Sequence, residues 1–173
     1  MALIVEDGSI VANADSYISV ADATTFINNY LGGEYDEDSA AFLGLSTTRK
    51  EQILRKACYY LNIKYRTRWK GYKRFYSQSL DWPRADVQDE DDYDVPEDTI
   101  PRRLQRAQVE ICVRLAAGDE LFEDRSRGGL IQSETVDVIS VSYFASAPAQ
   151  TLFESLENCL KGLLKNEHRV VRA

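Results

Sequence analysis

Apolar residues recur at helical spacing in four stretches of the chain, and in a fifth they alternate with polar ones. In the first stretch Ser19 and Asp22 have the spacing of a helix cap, and Ala23, Ile27, Tyr30 and Leu31 then hold one face until Gly32-Gly33 stops it. A second helix is expected to open near Thr48, with Glu51 three residues on. Its stripe is Leu54, Ala57, Cys58, Leu61 and Tyr65, while Arg49, Lys50, Arg55 and Lys56 lie mostly outside it. Pro101, a residue favoured at the first helical position, starts a third helix with the stripe Leu104, Ala107, Ile111 and Leu115, and Gly118 ends it. The fourth begins near Thr151, with Glu154 at capping-box spacing, and buries Leu152, Leu156, Leu160, Leu163 and Leu164.

Between the third and fourth helices the period shortens from helix to strand. Val136, Val138, Ile139, Val141 and Tyr143 are β-branched or aromatic, and Ile139, Val141 and Tyr143 alternate with Ser140 and Ser142. With Leu130 to Thr135 ahead of them they predict a β-hairpin turning at Asp137-Val138. A further short strand is expected at Leu3-Ile4-Val5. The fold class is therefore mainly α: a small bundle of about four helices with a β-hairpin between helices three and four. A loop is expected around residues 77–99 and a polar tail over residues 165–173. An isolated hairpin is only marginally stable in water, so this one must pack on the helices or pair with another chain. Val136, Ile139, Val141 and Tyr143 are its candidates for pairing between subunits.

Length and charge narrow the function classes. With 173 residues and 44% hydrophobic content the chain fits one domain with one core. No stretch approaches the roughly 20 apolar residues of a membrane span. The start, Met1 to Gly8, lacks a basic leader and a long apolar run, so assembly in a reducing cytoplasm is expected. Cys58, Cys112 and Cys159 lie far apart, leave one unpaired in any disulfide scheme, and fit apolar stripes as small hydrophobes. A net charge of −7 argues against a protein devoted to coating nucleic acid, and no second basic region stands out beside the one described next.

Residues 64–76 interleave six cations with five aromatics: Lys64, Arg66, Arg68, Lys70, Lys73 and Arg74 with Tyr65, Trp69, Tyr72, Phe75 and Tyr76. Three readings fit. Cations can track the phosphates of a single strand while aromatic faces stack on its bases. Tyr65, Trp69 and Tyr72 can instead pack inward, with the charged heads left in water. Arginine and aromatic residues are also enriched at protein interfaces. An acidic run follows, comprising Asp86, Asp89, Glu90, Asp91, Asp92, Asp94, Glu97 and Asp98; its spacing departs from a calcium-binding loop. It reads as a solvated loop, or as the electrostatic complement of the basic stretch in the same or a neighbouring subunit, which would suit a head-to-tail ring. No catalysis is expected. The single histidine, His168, sits in the polar tail, and no phosphate-cradling loop, nucleophile elbow or paired Cys-x-x-Cys occurs. No metal or cofactor is implied.

Four segments in order resemble one family. They are Asn13-Ala14-Asp15-Ser16-Tyr17-Ile18-Ser19, then Leu80-Asp81-Trp82-Pro83-Arg84, then Ile100-Pro101, then Gly128-Gly129 followed by Ser133 to Val136 and Ile139 to Tyr143. They are similar to segments of tailed-phage and prophage proteins labelled DnaT-like single-stranded-DNA-binding proteins, which also resemble head–tail connector adaptors. The resemblance implies one adaptor-like domain over residues 1–173, in a homo-oligomeric ring, dodecameric as in the family. The ring would sit beneath the portal protein in the virion neck, receive the tail or a stopper protein, and let genome DNA pass through its channel. Lys64, Arg66, Arg68, Trp69, Lys70, Tyr72, Lys73 and Arg74 would then face the portal or a neighbouring subunit. The alternative that the label carries is a single-stranded-DNA-binding protein of replication, with the same residues on DNA.

Overall fold

The protein is described by a computed structural model covering residues 2–121, 133–136, 139–142 and 154–165, the hairpin by its backbone alone. Among the described residues there are five α-helices: α1 (Val20–Tyr30), α2 (Glu37–Leu43), α3 (Thr47–Lys64), α4 (Arg102–Ala117) and α5 (Glu154–Leu160). Two antiparallel pairs of short strands join them, β1 (Tyr72–Lys73) with β2 (Arg84–Ala85), and β3 (Ser133–Val136) with β4 (Ile139–Ser142). The mainly helical class read from the sequence is what the chain adopts, with one more helix than expected.

The centre of the molecule is α4, which packs against α1, α2, α3 and α5. Its expected stripe is in place, with Leu104, Ala107 and Ile111 buried and Leu115 partly so. Val109 and Val113, off that stripe, are buried too, because a helix with neighbours on several sides has little exposed surface. Pro101 sits one place earlier than expected, as the N-cap, and Gly118 closes the helix in a left-handed conformation (φ 105°) that glycine adopts at little cost. The predicted α3 stripe from Leu54 to Leu61 is fully buried against it.

In α1, Ser19 caps the start by accepting from the Asp22 amide, and Ala23 and Ile27 face the core. Tyr30 corrects the expected face: it is 67% exposed and lies against Phe26 rather than in the core. The unexpected α2 is a seven-residue helix, begun by the Asp36 carboxylate on the Ser39 amide and anchored by buried Phe42. The N-terminal strand is reduced to one bridge, Val5 to Ser16, beside which buried Glu6 accepts from the amides of Gly8, Ile10 and Val11.

Apart from β2 and a Gln88–Asp94 bridge the 77–99 segment has no regular structure, but part of it is buried: Gln78, Leu80 and the run from Asp81 to Ala85. In the hairpin β3–β4, Glu134 pairs with Val141 and Val136 with Ile139, as the alternation predicted. Tyr143, the 137–138 connection, Thr151, Leu152 and most of the polar tail lie outside the described residues. No described helix is long and apolar enough to cross a membrane.

Candidate functional site

The basic, aromatic stretch begins where α3 stops. Tyr65 caps the helix, and Trp69 continues the α3 stripe one turn further on. Both are buried, and the Trp69 ring stands 5.6 Å from Tyr65 and edge-on to Trp82 at 5.9 Å. The C-terminal segment holds this region in register: the Lys70 amide donates to Leu163 O and the Lys165 amide to Arg68 O. Trp69 is thus a core residue, as the packing reading has it and against the interface and base-stacking readings. Its spacing from Leu61 and Tyr65 keeps it on the buried face, and residues after α5 cover it. Tyr72 reverses the other way: assigned inward in the packing reading, it is 61% exposed on edge strand β1, as are Phe75 and Tyr76 beyond it.

The cations divide in the same manner. Arg68 forks onto Glu157, Nη1 to Oε1 at 3.0 Å and Nη2 to Oε2 at 3.1 Å. Lys73 pairs with Asp81 at 3.2 Å, Lys64 donates to the Tyr60 hydroxyl, and Lys70 donates to Gln88 O. Of the six, Arg66 and Arg74 are exposed without a hydrogen bond or ion pair among the described residues. A seventh cation, Arg84, escaped the sequence reading as a structural residue. It is buried and donates to the carbonyls of Lys70, Gly71 and Asp81, which ties β2 to the basic stretch. Burial lowers its pKa from the usual guanidinium value, and Asp81 works in the opposite direction. Gly71 (φ 60°) is required at this crossing, since a Cβ there would collide with the carbonyl oxygen of Ala85.

The acidic run is an ordered turn. The Asp89 carboxylate accepts from the amides of Asp91 and Tyr93, a Gln88–Asp94 bridge closes the base, and Tyr93 projects with 73% of its surface exposed. Among the described residues no ion pair joins the acidic run to the basic stretch, and Lys70 donates instead to the Gln88 carbonyl. The ion pair the turn does make is Glu90 to Arg103 on α4, at 2.6 Å. Asp91, Asp92, Glu97 and Asp98 are exposed and have no side-chain partner among the described residues.

A second basic region exists, contrary to the sequence expectation. Arg102 and Arg106, one turn apart on α4, line a cleft with Phe26 and Tyr30 of α1. The two halves of this site lie far apart in the chain, and packing alone brings them together.

The thiols are poised to stay protonated. Burial pushes Cys58 up to about 12 and Cys112 well above its usual value; Cys159, beside Glu110, is also raised to about 12. The folded chain therefore keeps protons that the unfolded chain begins to release near 9. By linkage, stability is retained below that pH and falls as pH rises towards the folded values. The expected slope for each buried thiol, Cys58 and Cys112, is about 1.4 kcal/mol per pH unit. Denaturant titrations between neutral pH and pH 10.5 check this, and a flat profile above pH 9 would contradict it.

Fold and surface together define a mainly helical domain with two small strand pairs, displaying charged and aromatic faces around a buried tryptophan pair. The chain belongs to the family described as "Putative DnaT-like ssDNA binding protein", which it matches over residues 1–173. Among curated proteins and among solved structures, nothing matches the chain.

Proposed function

We propose that this protein works by docking onto other protein subunits, as the adaptor of a tailed-phage head–tail connector. In this reading copies assemble as a ring under the portal protein, receive the tail or stopper on the other side, and surround the passage of genome DNA. The observation that carries it is the disposition of the basic stretch. Four of its six cations are engaged within the fold, and the two aromatics nearest α3 are core residues. A net charge of −7 favours a channel along which DNA slides without adhering. The exposed Tyr72, Phe75 and Tyr76, beside Arg66 and Arg74, have the composition of a protein contact. The resemblance noted in the sequence supplies the finer assignment to the neck of the virion.

The family's description favours a second reading, single-stranded-DNA binding, with the same exposed aromatics as stacking faces. Two unengaged cations set its limit: at roughly −0.7 per neutralised phosphate, log affinity would change with log salt at a slope of only about −1.4. Two measurements separate the readings. Electron microscopy of the portal mixed with excess protein is expected to show an added ring layer, and an unaltered portal would refute the adaptor. Fluorescence anisotropy with a labelled oligonucleotide is expected to show no binding at physiological salt. Sub-micromolar binding there, lost in Tyr76→Ala, would establish the DNA reading instead.

A further inference from the structure

Two of the surfaces whose charge the fold leaves unpaired are complementary. The first is the cleft of about 360 Å³ between α1 and α4. On one wall Phe26 and Tyr30 stand with ring centroids 5.0 Å apart. On the other, the Arg106 guanidinium lies 5.8 Å from each ring, and Arg102 sits one turn before it on the same face of α4. Neither arginine has a carboxylate partner among the described residues. One acid, Asp22, also lines the cleft, where it accepts from the Ser19 hydroxyl, so the balance stays positive. The start of α4 adds to it, because Pro101 provides no side-chain cap for the helix's first amides.

The second surface is the acidic turn. Asp91 and Asp92 carry unpartnered charge on either side of the peptide that leads to exposed Tyr93. Glu90 moors the turn to Arg103, which also donates to Lys161 O, and none of Asp91, Asp92 and Tyr93 lines the cleft of its own copy.

We infer that the acidic turn of one copy docks in the α1–α4 cleft of the next, with Asp91 and Asp92 on Arg102 and Arg106 and Tyr93 against Phe26 and Tyr30. This rests on the assembly reading above and names the subunit contact it requires. Both kinds of contact are chemically matched: carboxylate on guanidinium gives register and steering, and an aromatic side chain meets a ring pair already faced by a cation. The contact is heterologous. Each docked copy leaves one turn and one cleft free, so the arrangement propagates, closing as a ring where the rotation per copy divides a full turn and running on as a filament otherwise.

Charge exchange tests it on the intact chain. One variant reverses the turn (Asp91→Lys with Asp92→Lys), a second reverses the cleft (Arg102→Glu with Arg106→Glu), and a third carries all four changes. Amide resonances of isotope-labelled protein are followed as its concentration is raised at low salt. The wild type is expected to shift at residues of both surfaces. Either reversal alone should abolish those shifts. Mixing the two reversed chains, or combining all four changes in one chain, should restore them, which a folding defect cannot do. Absence of shifts at the highest soluble concentration, or no recovery in the mixture, overturns the contact. So does a single-stranded oligonucleotide that moves the Arg102 and Arg106 resonances in both the wild type and the turn-reversed chain while the acidic turn stays silent, since the cleft then serves DNA. A ring formed on the portal without these shifts leaves the adaptor reading intact and removes this contact alone, and the shifts without a portal ring do the reverse.

Discussion

Replacing Trp69 by alanine is expected to destabilise the protein by about 3–5 kcal/mol, the usual cost of truncating a large buried aromatic. The ring is 1% exposed and touches both Tyr65 and Trp82, so its loss opens a cavity bounded by α3, the β1–β2 crossing and the segment after α5. For a domain of this size roughly 2–4 °C of melting temperature accompanies each kcal/mol. Trp69→Phe should cost less, partly because it removes an indole N–H that has no hydrogen-bond partner among the described residues. Tyr76→Ala, at a fully exposed position in the same stretch, should shift stability by no more than about 0.5 kcal/mol. Thermal melts of the three variants decide the matter. Equal melting temperatures for Trp69→Ala and the wild type would return Trp69 to the surface.

Gln108→Leu should be nearly as damaging, although it exchanges a polar side chain for an apolar one of similar size in a fully buried site. Gln108 Oε1 accepts from the Tyr17 amide at 3.0 Å, and its Nε2 donates to Ser16 Oγ at 2.8 Å and Leu54 O at 2.9 Å. One side chain thus joins the N-terminal segment, α3 and α4. Leucine leaves the Tyr17 amide without this acceptor and the two oxygens without this donor. The stranded amide costs about 1–3 kcal/mol and each of the two lost donor bonds about 0.5–1.5 kcal/mol, so the expected loss is about 2–6 kcal/mol. Urea denaturation should show a lower midpoint with an unchanged slope. A variant as stable as the wild type would mean that the site rearranges to satisfy those groups.

The parts of this fold that were legible in the sequence are those with a sustained period. The stripes of α3 and α4 run over three turns or more, and each apolar residue on them finds the neighbour its spacing implies. By contrast α2 has only two large apolar residues, Phe42 and Leu43, side by side and without a period, and its start depends on an Asp36–Ser39 cap that resembles any polar turn. Gln108 has no apolar character to mark it, and its burial follows from α1, α2 and α3 closing around α4. The Asp81 to Arg84 run has no period at all; it is buried because Arg84 and Gln78 satisfy the carbonyls around it.

Composition was the least reliable guide to the candidate site. Interleaved cations and aromatics in residues 64–76 suggested one continuous surface. Burial then divided the aromatics, and hydrogen bonding divided the cations. The α1–α4 cleft was invisible for the opposite reason, because neither Phe26 with Tyr30 nor Arg102 with Arg106 is notable until packing brings the two pairs together.

Bonds that join distant parts of the chain bear on how quickly the molecule forms. Tyr17 reaches Gln108 across 91 residues, and Tyr65 reaches Glu157 across 92. Helical domains fold fast when their contacts are local, whereas each distant closure must be made against chain entropy before it yields any stabilisation. This chain will therefore fold more slowly than its helix content suggests. During synthesis α1 to α4 can gather around Gln108, but the pocket holding Tyr65 and Trp69 stays unsealed until the segment from Glu157 to Lys165 emerges. A ribosome stalled before Glu157 would leave that aromatic pair open to any apolar surface nearby.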